Sequence, residues 1–225
     1  MPSVVLDSSV ATRVLAGVAW FAGVRAAEEN PRWSEMETLA GTLRSAHGDR
    51  KPSEIPGLDP ARRLYRSFGV DPTRTRPSSE ALLRRVLQGK ALYRINRLVD
   101  AINWASLALL LPIGLYDLDK VRGDLTLREG RPGESYEGIR RGEIHLGGRL
   151  VIADGAGACG SPTADSLRTS VDPGTTRAAA VVLAPADFPV LAMEEGLVRM
   201  SAQVVAWCGG AQEGARVLGG TDRVS

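Results

Sequence analysis

The chain has 225 residues, a formal net charge of +2, and 44% hydrophobic against 24% charged residues. Those proportions describe an ordinary globular protein, long enough for one large domain or two small ones. Two cysteines, Cys159 and Cys208, are too few for a disulfide scaffold, and no CxxC pair points to zinc, so no metal and no cofactor are expected. The start of the chain lacks a charged leader ahead of an apolar core. The most apolar run, 104–115, is broken by Pro112 and is too short to span a bilayer. A cytoplasmic protein without a membrane anchor is the expectation.

In chain order, 4–6 predicts a short strand and 14–24 a buried one carrying Val18, Trp20 and Phe21. Residues 31–47 predict a helix, because Trp33, Met36, Leu39, Ala40 and Leu43 share a face. A loop rich in Pro, Gly and charge covers 49–60. Asp59 and Pro60 then open a helix holding Leu64, Tyr65 and Phe68, stopped by Gly69. Ser78 or Ser79 is placed to cap a helix with Leu82, Leu83, Val86 and Leu87 on one face, ending at Gly89. A further helix is predicted over about 95–110, with Ile95, Leu98, Val99, Ile102 and Leu109 as its core stripe.

Beyond this point the pattern turns to sheet. Strands are predicted at 111–121, 124–128, 136–139, 143–146 and 149–153, with Gly147-Gly148 as a hairpin turn. Residues 154–162 read as irregular and 178–183 as an apolar strand. Residues 187–208 predict a closing helix, and 210–225 a fraying tail. Early helices, a middle sheet and a closing helix argue for a single α+β domain over 1–225.

Two features carry functional content. Asn96, Asp100 and Asn103 fall at i, i+4 and i+7, on one flank of the 95–110 helix beside its core stripe. They form either a pocket edge or a solvated flank. Ten cations lie within 62–97, among them Arg62, Arg63, Arg76, Arg84, Arg85, Lys90, Arg94 and Arg97, against only Asp71 and Glu80. The local charge of +8 leaves −6 over the rest of the chain. This suits either a nucleic-acid backbone or an arginine-rich face turned to water.

Familiar catalytic patterns are missing. Histidine is limited to His47 and His145, with no motif around either, and there is no HExxH, P-loop or convincing GxGxxG. Cys159 has no histidine or lysine near it in sequence and reads as a small filler. What remains is a hydroxyl-rich loop, 160–170, with Ser161, Asp165, Ser166 and Thr169. Tyr116, Asp117 and Asp119 end the 111–121 strand. They either line a pocket, or Tyr116 is core and the two acids cap the strand turn or pair with Lys120 and Arg122. The loop is either a set of self-satisfied turns or a functional loop on a rigid sheet.

Five blocks, RPSSEALLRRVLQGK (76–90), YRINRLVDAINWASL (93–107), LPIGLYDLDKVRGDLTLR (111–128), SYEGI (135–139) and GSPTADSLRTSVDPGTTRAAAVVL (160–183), occur in order. Together they resemble the B3/B4 domain, the tRNA-binding and editing domain of the bacterial phenylalanyl-tRNA synthetase beta chain, in free-standing form. No aminoacylation or anticodon-binding module accompanies them. The resemblance implies a B3/B4-like α+β fold with a central, mostly antiparallel sheet flanked by helices. It also implies hydrolysis of mischarged tRNA in trans, including tRNA bearing a non-protein amino acid. On that basis Asn103, Asp117 and Asp165 are expected to be catalytic. Asn96, Asp100, Tyr116, Asp119, Ser161, Ser166 and Thr169 would line the aminoacyl pocket, with Asp117 or Asp165 reading a cationic side chain or the α-amino group. Arg62, Arg63, Arg76, Arg84, Arg85, Lys90, Arg94 and Arg97 would carry the acceptor stem. The alternatives are a tRNA or amino-acid-derivative binding module without chemistry, and a biosynthetic protein that uses aminoacyl-tRNA as donor.

Overall fold

The structure is a computed structural model that describes residues 1–27, 29–139 and 142–220. It opens with β1 (Val4–Leu6) and β2 (Val14–Ala22). The helices α1 (Trp33–His47), α2 (Asp59–Ser67), α3 (Ser78–Leu87) and α4 (Arg97–Leu109) follow. Then come β3 (Ile113–Asp117), β4 (Leu125–Glu129), β5 (Ser135–Gly138), β6 (Gly142–His145), β7 (Leu150–Asp154), β8 (Gly157–Gly160) and β9 (Arg177–Pro185). The chain closes with α5 (Val190–Cys208) and β10 (Ala211–Gly219).

The architecture is α+β and mostly antiparallel, as expected, with its strands in the two-stranded sheet β5-β6 and two four-stranded sheets. One has the order β10-β2-β9-β3 and is antiparallel throughout. The other has the order β1-β4-β7-β8, with β1 parallel to β4 and the remaining pairs antiparallel. The alternation of side chains along β2 and β9 explains the layering. Leu15, Ala19 and Phe21 of β2, with Ala178, Ala180 and Val182 of β9, join one core with α1, α3, α4 and α5. Val14, Ala16, Val18 and Trp20, with Ala179, Val181 and Leu183, join a second core with Leu125, Leu127, Leu150 and Ile152 of the other sheet. A strand buried on both faces reads as a continuous apolar run, which is how both strands look in the sequence.

Three expectations are corrected. The supposed tail at 211–219 is strand β10, paired along β2 with a bulge between Gln212 and Gly214. Its polar, exposed sequence is that of an edge strand. The stretch 157–160 is strand β8 rather than irregular chain. Gly147-Gly148 joins β6 to β7 across two separate sheets, so it closes no hairpin between them. Residues 221–225 lie outside the described residues. Among the described residues no helix is long and apolar enough to cross a membrane.

Candidate nucleic-acid interface

The α3–α4 connection builds a groove. Gly89 ends the α3 region with φ 68°, a left-handed turn that costs a residue without Cβ little. The chain then crosses to α4 without regular structure, and polar side chains hold its last residues. Asn96 caps α4, its side chain accepting from the Val99 N–H at 2.9 Å. Asp100 Oδ1 accepts from the Ile95 N–H at 3.1 Å, and its Oδ2 accepts from Asn30 Nδ2 at 3.2 Å. Burial pushes the Asp100 carboxyl up, and those hydrogen bonds pull it back. Both residues therefore position the groove lip by binding backbone, and of the expected polar stripe Asn103 alone lines the groove.

The groove has a volume of about 590 Å³, within the range of small-molecule sites. Its floor is apolar, with Met36, Ala81, Leu82, Leu92 and Val99. Arg76, Arg84, Arg85 and Lys90 stand around it, and no acid lines it. Sequence reasoning missed Tyr93, which also lines it. Its ring lies under the Arg85 guanidinium, 4.0 Å from the Cζ atom to the centroid. A lone aromatic in a loop has no periodicity to betray it.

The other four expected tRNA contacts lie outside the groove lining. Arg62 makes a bidentate pair with Glu80, and Arg63 pairs with Asp59 and Asp187. Arg94 lies over the Trp33 ring and 3.7 Å from Glu37. Arg97 donates to the Glu29 carbonyl.

The 161–169 loop adjoins the groove, since the Ser78 N–H donates to the Pro162 carbonyl at 3.3 Å. It does not close over it. The loop instead seals the free edge of β3. Asp165 Oδ2 accepts from the Leu115 N–H at 3.1 Å, and the Thr169 carbonyl accepts from the Asp117 N–H at 3.0 Å. Its hydroxyls are satisfied locally. Tyr136 donates to Ser161 at 2.9 Å, Ser166 and Thr169 bond each other, and Thr169 donates to the Cys159 carbonyl.

The acids expected as a second wall face other partners. Asp117 accepts from Thr175 Oγ1 at 2.7 Å and from the Asp119 N–H at 3.0 Å. Asp119 pairs with Arg177 at the surface. Tyr116 is fully buried between the sheets, its ring filling the space left by Gly114 and Gly160, where a Cβ would overlap it. Its hydroxyl lies beside the Asp165 carboxyl, yet neither Tyr116 Oη nor Asp165 Oδ1 makes an aligned hydrogen bond, and both are shut from solvent. Burial pushes Asp165 up to about 7 and the Tyr116 phenol well above its usual value. The two expected walls thus do not face one another across one hollow.

Cys159 and Cys208 are buried, and desolvation pushes both thiols up to about 12. Neither should react with a water-soluble disulfide reagent in the native protein, and both should react in urea. Native labelling at either would show that its core opens.

The family model described as the B3/4 domain matches residues 60–187. This chain belongs to the B3/4 domain family. The matched B3/4 segment runs from α2 to just past β9 and holds every groove residue but Met36. The chain is 34% identical over 102 residues to the phenylalanine–tRNA ligase beta subunit of Bartonella henselae, covering 44% of this chain and 13% of that one. It is 30% identical over 139 residues to that of Brucella abortus, covering 59% and 17%. The chain thus spans under a fifth of the length of these relatives. An N-terminal fragment of the phenylalanyl-tRNA synthetase beta subunit from Pyrococcus horikoshii aligns with a TM-score of 0.47 at 13% identity. That alignment covers 93% of this chain and 50% of that chain.

Proposed function

We propose that the protein binds the aminoacylated end of tRNA in the α3–α4 groove and hydrolyses the ester of a mischarged tRNA. One observation carries this reading: four cations and no acid line a groove with an apolar floor and a half-buried amide, Asn103. Such a lining suits phosphates at the rim and an amino acid beneath. The domain is also one that beta subunits of phenylalanine–tRNA ligase carry. A protein in this role works on the cytoplasmic tRNA pool.

The chemistry asks little of the protein. An aminoacyl ester is already activated, so a positioned water and donors for the developing oxyanion suffice. The Asn103 amide supplies both a donor and an acceptor. Asp117 and Asp165 act in this reading as scaffold, since their carboxylates serve Thr175, Asp119 and Leu115. A cargo with a cationic side chain would meet no carboxylate in the groove.

A panel of mischarged tRNAs, non-protein amino acids included, tests the proposal by release of free amino acid. Asn103→Ala is expected to lower turnover about 100-fold, as loss of an oxyanion donor does elsewhere. Unchanged turnover would put the chemistry outside the groove. The second reading is a binding module without chemistry, and the absence of any imidazole or carboxylate from the groove lining favours it. Stoichiometric protection of the ester, with no release from any tRNA of the panel, would establish that reading instead.

A further inference from the structure

Tyr93 is the exposed aromatic ring among the described residues, with 60% of its surface open. The other Phe, Tyr and Trp rings are buried or half-buried in the cores. Tyr93 is also not a loose tip. Gly89 turns the chain before it, and the Asp100 and Asn96 hydrogen bonds fix the backbone after it. Arg85 covers one ring face at 4.0 Å, so the open surface belongs largely to the other face. Ile95, 44% exposed, extends the apolar surface along the same lip.

A ring held by a guanidinium on one side and open on the other is a stacking platform. Stacking requires a base whose face is free. A duplex buries its base faces and offers a protein its backbone and groove edges, whereas an unpaired strand can lay a base on an aromatic ring. Arg84 and Lys90 line the same groove and supply positive charge for the phosphates of such a strand.

We propose that the groove takes unpaired RNA, with one base stacked on Tyr93 against Arg85, and so selects the single-stranded end of its partner over the paired stem. This rests on reading the groove as an RNA site. It adds the strand state that is recognised and the residue that reads it. The ordinary role for an Arg–Tyr contact is to hold a loop, and that role makes a different prediction: removing the ring would weaken every RNA alike, or lower thermal stability.

The test is fluorescence anisotropy of the full chain with a short labelled single-stranded RNA and with the same strand annealed to its complement, each over a salt series. Competition by free AMP completes the set. The single strand is expected to bind at least ~10-fold tighter than the duplex. Tyr93→Ala should weaken the single strand by about 5- to 150-fold, the worth of one stacked base, with duplex binding, salt slope and melting temperature unchanged. Tyr93→Phe should bind as the parent does. Arg84→Ala should weaken both RNAs and reduce the salt slope by about one.

Equal affinity for single strand and duplex would overturn the inference. So would competition by free AMP as strong as by the RNA itself. Parent-like binding by Tyr93→Ala, with Arg84→Ala still weakened, would overturn the stacking and leave the groove as an RNA site. If both variants bind like the parent, the groove is not the RNA site and the inference falls with it.

Discussion

Replacing Glu80 by alanine is expected to destabilise the protein by about 3–5 kcal/mol, the largest effect of any single change considered. Glu80 sits in the first turn of α3 and is 1% exposed. Arg62 of α2 grips it with two hydrogen bonds, Nε to Oε2 at 2.8 Å and Nη2 to Oε1 at 2.9 Å. The Arg62 side chain is itself only 12% exposed. Removing the carboxylate leaves a guanidinium in the interior without a counter-charge, which costs far more than an exposed ion pair is worth. Urea unfolding midpoints measure the loss. The double change Arg62→Met with Glu80→Leu should recover most of it, because the cost comes from the stranded charge. A loss below about 1 kcal/mol would class the pair with surface ion pairs.

Asp165→Asn is expected to stabilise the protein increasingly as pH rises toward neutrality. An ordinary aspartate titrates near ~3.9, whereas burial lifts Asp165 to about 7. Below about pH 4 the folded and unfolded chains both hold the proton, and its contribution is fully present. Between about pH 4 and pH 7 the unfolded chain has released the proton and the folded chain keeps it. Each pH unit across that window therefore costs up to about 1.4 kcal/mol of stability. Above the folded value both are ionised and the loss is complete. Asparagine keeps an oxygen for the Leu115 N–H and offers an amide proton toward Tyr116 Oη without any titration. The difference between parent and variant midpoints, followed from about pH 4 to about pH 8, isolates this one group. Parallel curves would show that Asp165 titrates normally. A loss of deacylation at unchanged stability would return Asp165 to the catalytic role that its hydroxyl-rich loop suggested.

Elements with a strong period were readable from the residues. The apolar faces of α1, α3, α4 and α5, and the unbroken runs of β2 and β9, stand within a few residues of their expected places. What escaped reading depends on partners far along the chain. β10 buries little more than Val217 and Leu218, so its local sequence looks like a solvated end, and only pairing with β2 makes it a strand. The site was misjudged for a different reason. Helical spacing does put Asn96, Asp100 and Asn103 on one flank, but Asn and Asp at a helix start bind their own backbone, and the first two do so here. The arginine cluster divided along similar lines. Arg62 and Arg63 found acids, at Glu80 and Asp187 across the fold and at Asp59 one turn back in the same helix, while Arg76, Arg84, Arg85 and Lys90 met none in the groove.

The position of β2 has a consequence during synthesis. Its two sheet neighbours, β9 and β10, begin only at Arg177 and Ala211. A ribosome adding ~5–20 residues per second leaves this nine-residue apolar strand without its pairing edges for roughly 10–30 s. The nascent chain is therefore at its most aggregation-prone before β9 and β10 emerge, and a chaperone that shields early apolar segments should raise the yield of folded protein.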